Sequence, residues 1–465
     1  MREKGQIDIR LIGFVAAVVI VSLFFARGIS TSSPQVALTI ALGIGVCIIT
    51  FLKPQAGLYI LIFSMLLSPE FKVIEVPKRS VVVRVEDILL IVIFVTWIVR
   101  LAVNKELSVL RFTPLNKLLL SYALISALIT GFAIVQGRVN PLKSFFYLLK
   151  YIEYFFLYFM VSNSLHSKKQ AKNLVKYMII TAVIVCIYSY FRIATGRVAS
   201  TPFEGEAGEP ATLGGYLLVI ISVLMGLAAY AKSRRTTVLM ILIIFFAIPP
   251  LFYSGSRASL LGFIPMYVTF LIFTKHKKAL FAGIMVCVVA LMLSGVLSLP
   301  GTTKEKFKRT FSGEEISFGP ARLHLGSSAM ARVESWQESV KLWTKSPLWG
   351  YGVTGIGFFL DGQYFLVLGE TGLIGMFLFL WILFKLSTNT LQTFYSSKDE
   401  YVQGLSLGFL AGLIGLMTHA LTSNTFIIVR IMEPFWFLAA IIMTLPGLEQ
   451  SAEEDRAEIE KGKIL

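Results

Sequence analysis

An all-α, polytopic membrane fold is the first prediction this sequence makes, and three observations make it. The chain is 56% hydrophobic and only 15% charged, with a mean hydropathy of +0.75, whereas a soluble domain carries about 25% charged residues. Its apolar residues fall in runs of about 20, the length that crosses a hydrocarbon core about 30 Å thick at about 1.5 Å per residue. Backbone polar groups inside such a run can be satisfied only within the segment, so the runs are helices and not strands.

In chain order, the charged stretch Met1 to Arg10 leads into an apolar run, 7–26. No convincing small-x-small cleavage site follows, so this run reads as a retained first helix and not a removed signal peptide. Runs at 36–52, 56–68, 85–103, 115–135, 143–163 and 173–195 come next, then 210–231, 236–253, 257–274 and 278–298. The run at 56–68 is short enough to be a half-helix or re-entrant segment. The apolar pattern then stops from about 300 to 362 and resumes at 363–386, 402–423 and 426–446. Roughly 12–14 transmembrane helices are expected by length. The division is an N-terminal bundle (1–299), one large loop with an amphipathic helix (300–362), C-terminal helices (363–447) and a tail (448–465). No internal repeat stands out, although transporters built from inverted halves often show one.

Charge gives the orientation. The chain carries a formal net charge of +16, and Lys168-Lys169, Lys232 with Arg234-Arg235, and Lys275 with Lys277-Lys278 all fall on one side when every run is counted as a span. Positive-inside puts that side, with both termini, in the cytoplasm and the 300–362 loop outside. Two outer segments break the pattern: 69–84, with Lys72, Lys78, Arg79 and Arg84, and the loop itself. Cations placed against the topological bias imply an anionic partner such as lipid head groups or phosphates, and nucleic acid is not expected. The three cysteines, Cys47, Cys186 and Cys287, lie in apolar runs and read as small core residues.

The loop and its borders hold the candidate chemistry. Arg257, in Ser254-Gly255-Ser256-Arg257-Ala258, has small neighbours that leave room for bidentate grip on a phosphate, or it is an arginine that snorkels at a helix end. Arg332, Trp336, Val340 and Trp343 recur at helical spacing, which predicts an amphipathic helix at the membrane surface with Arg332 turned toward the membrane. Pro347-Leu348-Trp349-Gly350-Tyr351-Gly352 lacks the lysine of a nucleotide loop and predicts a tight backbone path beneath a ligand. Asp361 is either the N-cap of the next helix or a base toward a sugar hydroxyl. His324 is a competing base, and His419 can join a polar centre. Lys150 and Glu153, one turn apart in an apolar run, offset each other's burial. No Asp-x-Asp pair or His/Cys cluster occurs at ligand spacing, so no metal and no cofactor are expected.

Together these motifs resemble the O-antigen ligase and Wzy-type polymerase superfamily of bacterial polysaccharide assembly. The resemblance rests on Ser254-Gly255-Ser256-Arg257-Ala258, on Arg332 followed by Trp336, on Pro347-Leu348-Trp349-Gly350-Tyr351-Gly352 and on Glu370-Thr371-Gly372-Leu373-Ile374-Gly375. It implies a membrane glycosyltransferase architecture of the GT-C kind with one large periplasmic or extracellular loop. It also implies that Arg257 and Arg332 hold the diphosphate of an undecaprenyl-linked oligosaccharide. In that family a histidine followed by asparagine usually precedes the Glu-x-Gly-x-x-Gly segment, where this chain has Asp361-Gly362-Gln363. Either Asp361 replaces that histidine or the base lies elsewhere, and the departure favours a polymerase over a ligase.

The expected site is therefore Asp361, Arg257 and Arg332 for catalysis. Trp336, Tyr351, His324, Glu370 and Arg84 join the arginines in binding substrate. The partners implied are the lipid-linked donor, an acceptor glycan or glycolipid, membrane lipids and a chain-length regulator, all at a bacterial cytoplasmic membrane. The rivals are a ligase acting on lipid A core or another surface acceptor, a transporter of the same lipid-linked sugar that breaks no bond, and a non-catalytic subunit.

Overall fold

The structure is a computed structural model that describes residues 34–74, 81–103, 111–205, 208–293, 314–318, 321–357 and 360–462. The expected first span, 7–26, lies outside the described residues. Helices α1 (Pro34–Leu52) and α2 (Pro54–Leu67) lead to a two-stranded hairpin, β1 (Glu70–Ile74) with β2 (Val81–Arg84), and then α3 (Val85–Val103). Next come α4 (Asn116–Val135), α5 (Pro141–Ser164), α6 (Lys168–Ala194), α7 (Pro210–Tyr230), α8 (Arg234–Tyr253), α9 (Arg257–Phe273) and α10 (Lys278–Leu293). A second hairpin, β3 (Glu314–Phe318) with β4 (Ala321–Leu325), precedes α11 (Ser327–Trp343). The chain closes with α12 (Gln363–Ser396), α13 (Glu400–His419), a 3₁₀ turn (Thr425–Ile427) and α14 (Val429–Gly462).

Eight of these helices are long and apolar enough to cross a membrane, and four shorter apolar helices accompany them, including α2 and α9. The fold is that of an all-helical, multi-pass membrane protein, and the two hairpins are additions to it that the apolar pattern does not announce. Helix starts follow local chemistry. Asn140 caps α5 by accepting from the Lys143 N–H at 3.0 Å, with Pro141 as the first helical residue. Ser256 caps α9 by accepting from the Ser259 N–H at 3.2 Å.

α7 is the hub, with 94% of its apolar window buried inside the protein. Against it lies α13, whose Gly404, Gly408 and Gly412 recur every fourth residue and so share a face. A Cβ on Gly226 of α7 would stand 2.0 Å from the Gly404 carbonyl oxygen, and one on Gly408 would stand 2.5 Å from the Ser222 carbonyl oxygen. Lipid tails are as apolar as the side chains, so helix association in a membrane draws on close van der Waals approach, which small residues permit. The core runs continuously from the N-terminal helices into α12, α13 and α14.

The bundle has two chemically different ends. At one, Lys277 Nζ donates to the Ala228 and Ala231 carbonyls at the end of α7, and Lys168 bridges to Glu449 at 2.9 Å and Asp399 at 3.5 Å. At the other, the fully buried Arg430 donates from Nη1 to Thr201 Oγ1 at 2.7 Å and to the Pro202 carbonyl, and from Nη2 to the Ser68 carbonyl at 3.1 Å. Glu204 stands 3.9 Å from the same guanidinium. Arg430 thus ties α14 to the end of α2 and to the connection between α6 and α7.

Candidate active site

Three charged side chains come within electrostatic reach of one another at the Arg430 end of the bundle. Arg257 is the first residue of α9. The turn before it uses Gly255 at φ 68°, in the left-handed region that glycine favours, and the Ser259 hydroxyl donates to Ser256 Oγ at 2.7 Å. Arg257 lies within electrostatic reach of both Arg332 and Asp361. Arg332 Nε donates to Asp361 Oδ2 at 3.1 Å, and the two side chains remain 28% and 26% exposed. Two guanidiniums and one carboxylate therefore share a partly open site at the bundle's end.

The stripe of α11 packs against α12. Trp336 stacks on Phe365 with ring centroids 5.1 Å apart, Ser339 Oγ donates to the Phe365 carbonyl at 3.0 Å, and Trp343 Nε1 donates to the Pro347 carbonyl at 3.0 Å. Arg332 accordingly faces Asp361 instead of the membrane, because the aromatic stripe finds a protein partner to bury against. The Trp336 indole N–H also donates to the carbonyl of Asp361 itself. Nor does Asp361 cap the helix after it: α12 begins at Gln363, and its cap residue is Gly362, without a side-chain cap.

The glycine-rich segment is stitched to a break in α12. Gly372 sits at φ 62°, ψ −163°, which interrupts the helix. Around it, Tyr351 N–H donates to the Gly369 carbonyl at 3.0 Å, Gly352 N–H to the Glu370 carbonyl at 2.8 Å, and Leu373 N–H to the Pro347 carbonyl at 2.9 Å. The Glu370 carboxylate fastens this ladder, accepting from the Thr354 N–H at 2.8 Å and from the Tyr151 hydroxyl at 3.0 Å. The Arg138 guanidinium lies 5.6 Å from the centre of the Tyr351 ring.

Arg84 and His419 make their contacts outside this group. Arg84 is buried in a separate charge group: its N–H donates to Asp87 at 2.9 Å and its Nε stands 3.7 Å from Glu86. Glu153 and Glu433 interact electrostatically with that group, and Lys150 with Glu153. The His324 backbone lies in β4 opposite Glu315, and its side chain is outside the described residues. His419 is fully buried at the end of α13, with Nδ1 2.6 Å from Thr425 Oγ1. Among the described residues no three His, Cys, Asp or Glu side chains form a group that could hold a metal ion.

Two residues that the sequence reading passed over hold Asp361 from below. Asn424 Nδ2 donates to the Leu360 carbonyl at 2.6 Å, while its Oδ1 accepts from the Gly362 N–H at 3.2 Å. Gln363 N–H donates to the Ala420 carbonyl at 2.9 Å, and Gln363 Oε1 accepts from the Phe426 N–H at 3.0 Å. The signal available was a Thr422-Ser423-Asn424 break between two apolar runs, which reads like any polar turn.

Fold and site together define a multi-pass membrane protein in which, among the described residues, two arginines and a carboxylate are grouped at one end of the bundle beside the amphipathic helix α11. Residues 250–380 match the family model described as Wzy_C, O-Antigen ligase. This places that stretch in the O-antigen ligase and Wzy-type polymerase superfamily, as its motifs suggest, and its function is of the ligase or polymerase type. The matched stretch spans Arg257, Arg332, Asp361 and Glu370, and stops before Asn424. No curated protein matches the chain.

Proposed function

We propose that the chain is a polysaccharide polymerase on the outer face of a bacterial cytoplasmic membrane. It transfers glycan from an undecaprenyl-diphosphate donor to a sugar hydroxyl of an acceptor glycan, with both termini in the cytoplasm. The observation that carries this reading is the Arg332–Asp361 pair at 3.1 Å with Arg257 within electrostatic reach of both. Cleaving the bond between the anomeric carbon and the diphosphate oxygen leaves charge on the diphosphate, and fixed guanidiniums stabilise charge that develops in the transition state. The acceptor hydroxyl is a weak nucleophile until it is positioned and its proton has somewhere to go.

In this reading the hydroxyl oxygen bonds to the anomeric carbon, the diphosphate leaves, and Asp361 takes the hydroxyl proton. A single displacement inverts the anomeric centre. An incoming diphosphate competes with Asp361 for Arg332, which frees the carboxylate for its role as base. With the leaving charge held by two arginines, activity is expected to survive chelation of divalent metal.

The family description favours a second reading, a ligase that passes the glycan to lipid A core or another surface acceptor. Product analysis separates the two, using purified protein in liposomes supplied with undecaprenyl-diphosphate oligosaccharides. Longer lipid-linked glycans in a ladder, with released undecaprenyl diphosphate, establish the polymerase. Release only when a separate acceptor is added establishes the ligase. Movement of labelled lipid across the bilayer with no bond cleaved would remove both.

A further inference from the structure

We infer that Asn424, in the turn between α13 and α14, is a positioning residue that fixes the aim of the Asp361 carboxylate. The inference rests on the reading of Asp361 as the base. One amide group spends its donor on the residue before Asp361 and its acceptor on the residue after it. The assignment of its O and N is set by those partners, since a carbonyl needs a donor and an N–H needs an acceptor.

The backbone at Asp361 needs such a partner. Residues 360–362 belong to no helix or strand, and Gly362 adopts φ 129°, ψ 104°. A Cβ there would stand 2.8 Å from Trp336 Nε1, so the chain passes directly beneath the indole that binds the Asp361 carbonyl. Trp336 and Arg332 hold Asp361 from the amphipathic helix α11; Asn424 holds it from the turn between α13 and α14.

Asn424 is well placed for this because its own turn is fastened. It is 7% exposed, the His419–Thr425 contact of 2.6 Å closes the turn behind it, and Gln363 ties the turn to the start of α12 by two further hydrogen bonds. The bundle thereby holds the backbone on both sides of Asp361 independently of the loop helix. A residue held from two separate elements stays within the small tolerance that catalysis demands, and about 1 Å of misplacement can cost about 10²-fold in rate.

The test uses full-length protein in liposomes with undecaprenyl-diphosphate oligosaccharides as the probe, and four variants: Asn424→Ala, Asn424→Asp, Asp361→Asn, and Asn424→Ala combined with Asp361→Asn. Asn424→Ala is expected to lower kcat by about 10²-fold with KM for the donor unchanged. Asn424→Asp keeps the acceptor for the Gly362 N–H but sets a like charge near Asp361. It is expected to move the acid limb of the kcat–pH profile to higher pH. The double variant is expected to be no slower than Asp361→Asn alone, because residues acting through one another are not additive.

Wild-type kcat in Asn424→Ala, or an equal fractional loss with and without the Asp361 carboxylate, would overturn the assignment while leaving Asp361 as base. If the alanine variant does not fold, the aspartate variant decides, and an unmoved pH profile overturns the assignment. Wild-type activity in Asp361→Asn would instead remove the base, and the positioning role with it.

Discussion

Arg332 and Asp361 hold each other at 3.1 Å while each side chain stays about a quarter exposed. An exposed ion pair of this kind contributes little to stability, about 0–1 kcal/mol, so its placement matters more for chemistry than for folding. Arg332→Ala and Arg257→Ala are each expected to lower turnover by about 10²–10³-fold while the protein still inserts and elutes as wild type. Chains of normal length from either variant would exclude that arginine. Arg332→Lys keeps the charge but loses the planar fork, so it is expected to rescue only part of the rate. Asp361→Asn is expected to lower turnover to a small residual rate that the two arginines still support, and to leave the start of α12 intact, since no helix cap depends on that carboxylate.

Among the elements, the broken helix α12 decides how the loop is presented. Gly350 and Gly372 meet across the ladder, and a Cβ on Gly372 would stand 2.4 Å from the Leu348 carbonyl oxygen. Gly372→Ala is expected to cost about 1–3 kcal/mol and to detach the 347–352 segment, read as a lower melting temperature and protease cleavage near Trp349. The connection between α6 and α7 gives a pH prediction. Burial pushes the Glu204 carboxyl up to about 7 from its ordinary 4.5, against the opposing pull of its hydrogen bonds and of Arg430. A raised carboxyl favours the folded state when protonated, so that contribution is whole below about pH 4.3 and is lost as pH rises to about 7. The wild-type melting temperature should fall across that window more than that of Glu204→Gln. Equal slopes would refute the assignment.

These elements also show how far the sequence can be read. The helices between 116 and 273 begin within a few residues of the apolar runs, because the length rule reports the bilayer directly. Arg257, Arg332 and Asp361 were legible as residues because each interrupts or borders an apolar pattern. Their grouping in one site was expected, but the contacts that hold Arg332 against Asp361 were not legible, since they depend on α11 folding its aromatic stripe onto α12 across a long connection. Asn424 gave no sign because a polar turn residue looks alike whether it faces water or another loop. Arg430 and Glu433 did carry one, two opposite charges three residues apart in an apolar run, and a strict reading of such residues as functional or paired would have flagged them.

For the molecule as a whole, the glycine face between α7 and α13 is the seam on which the bundle depends. Gly408→Leu is expected to cost about 1–3 kcal/mol or more through overpacking, with Gly408→Ala milder, both read by thermal unfolding in detergent. An unchanged melting temperature for the leucine variant would show that the seam yields. Arg430 sets a different constraint. Its partners at Ser68, Thr201, Pro202 and Glu204 all precede it in the chain by more than two hundred residues. During synthesis the earlier helices enter the bilayer first, with the Ser68 carbonyl, Thr201, Pro202 and Glu204 awaiting the guanidinium that α14 delivers. The nascent bundle is therefore incomplete until its last helix arrives, and a chain stalled before residue 429 lacks the guanidinium that ties the end of α2 to the connection between α6 and α7.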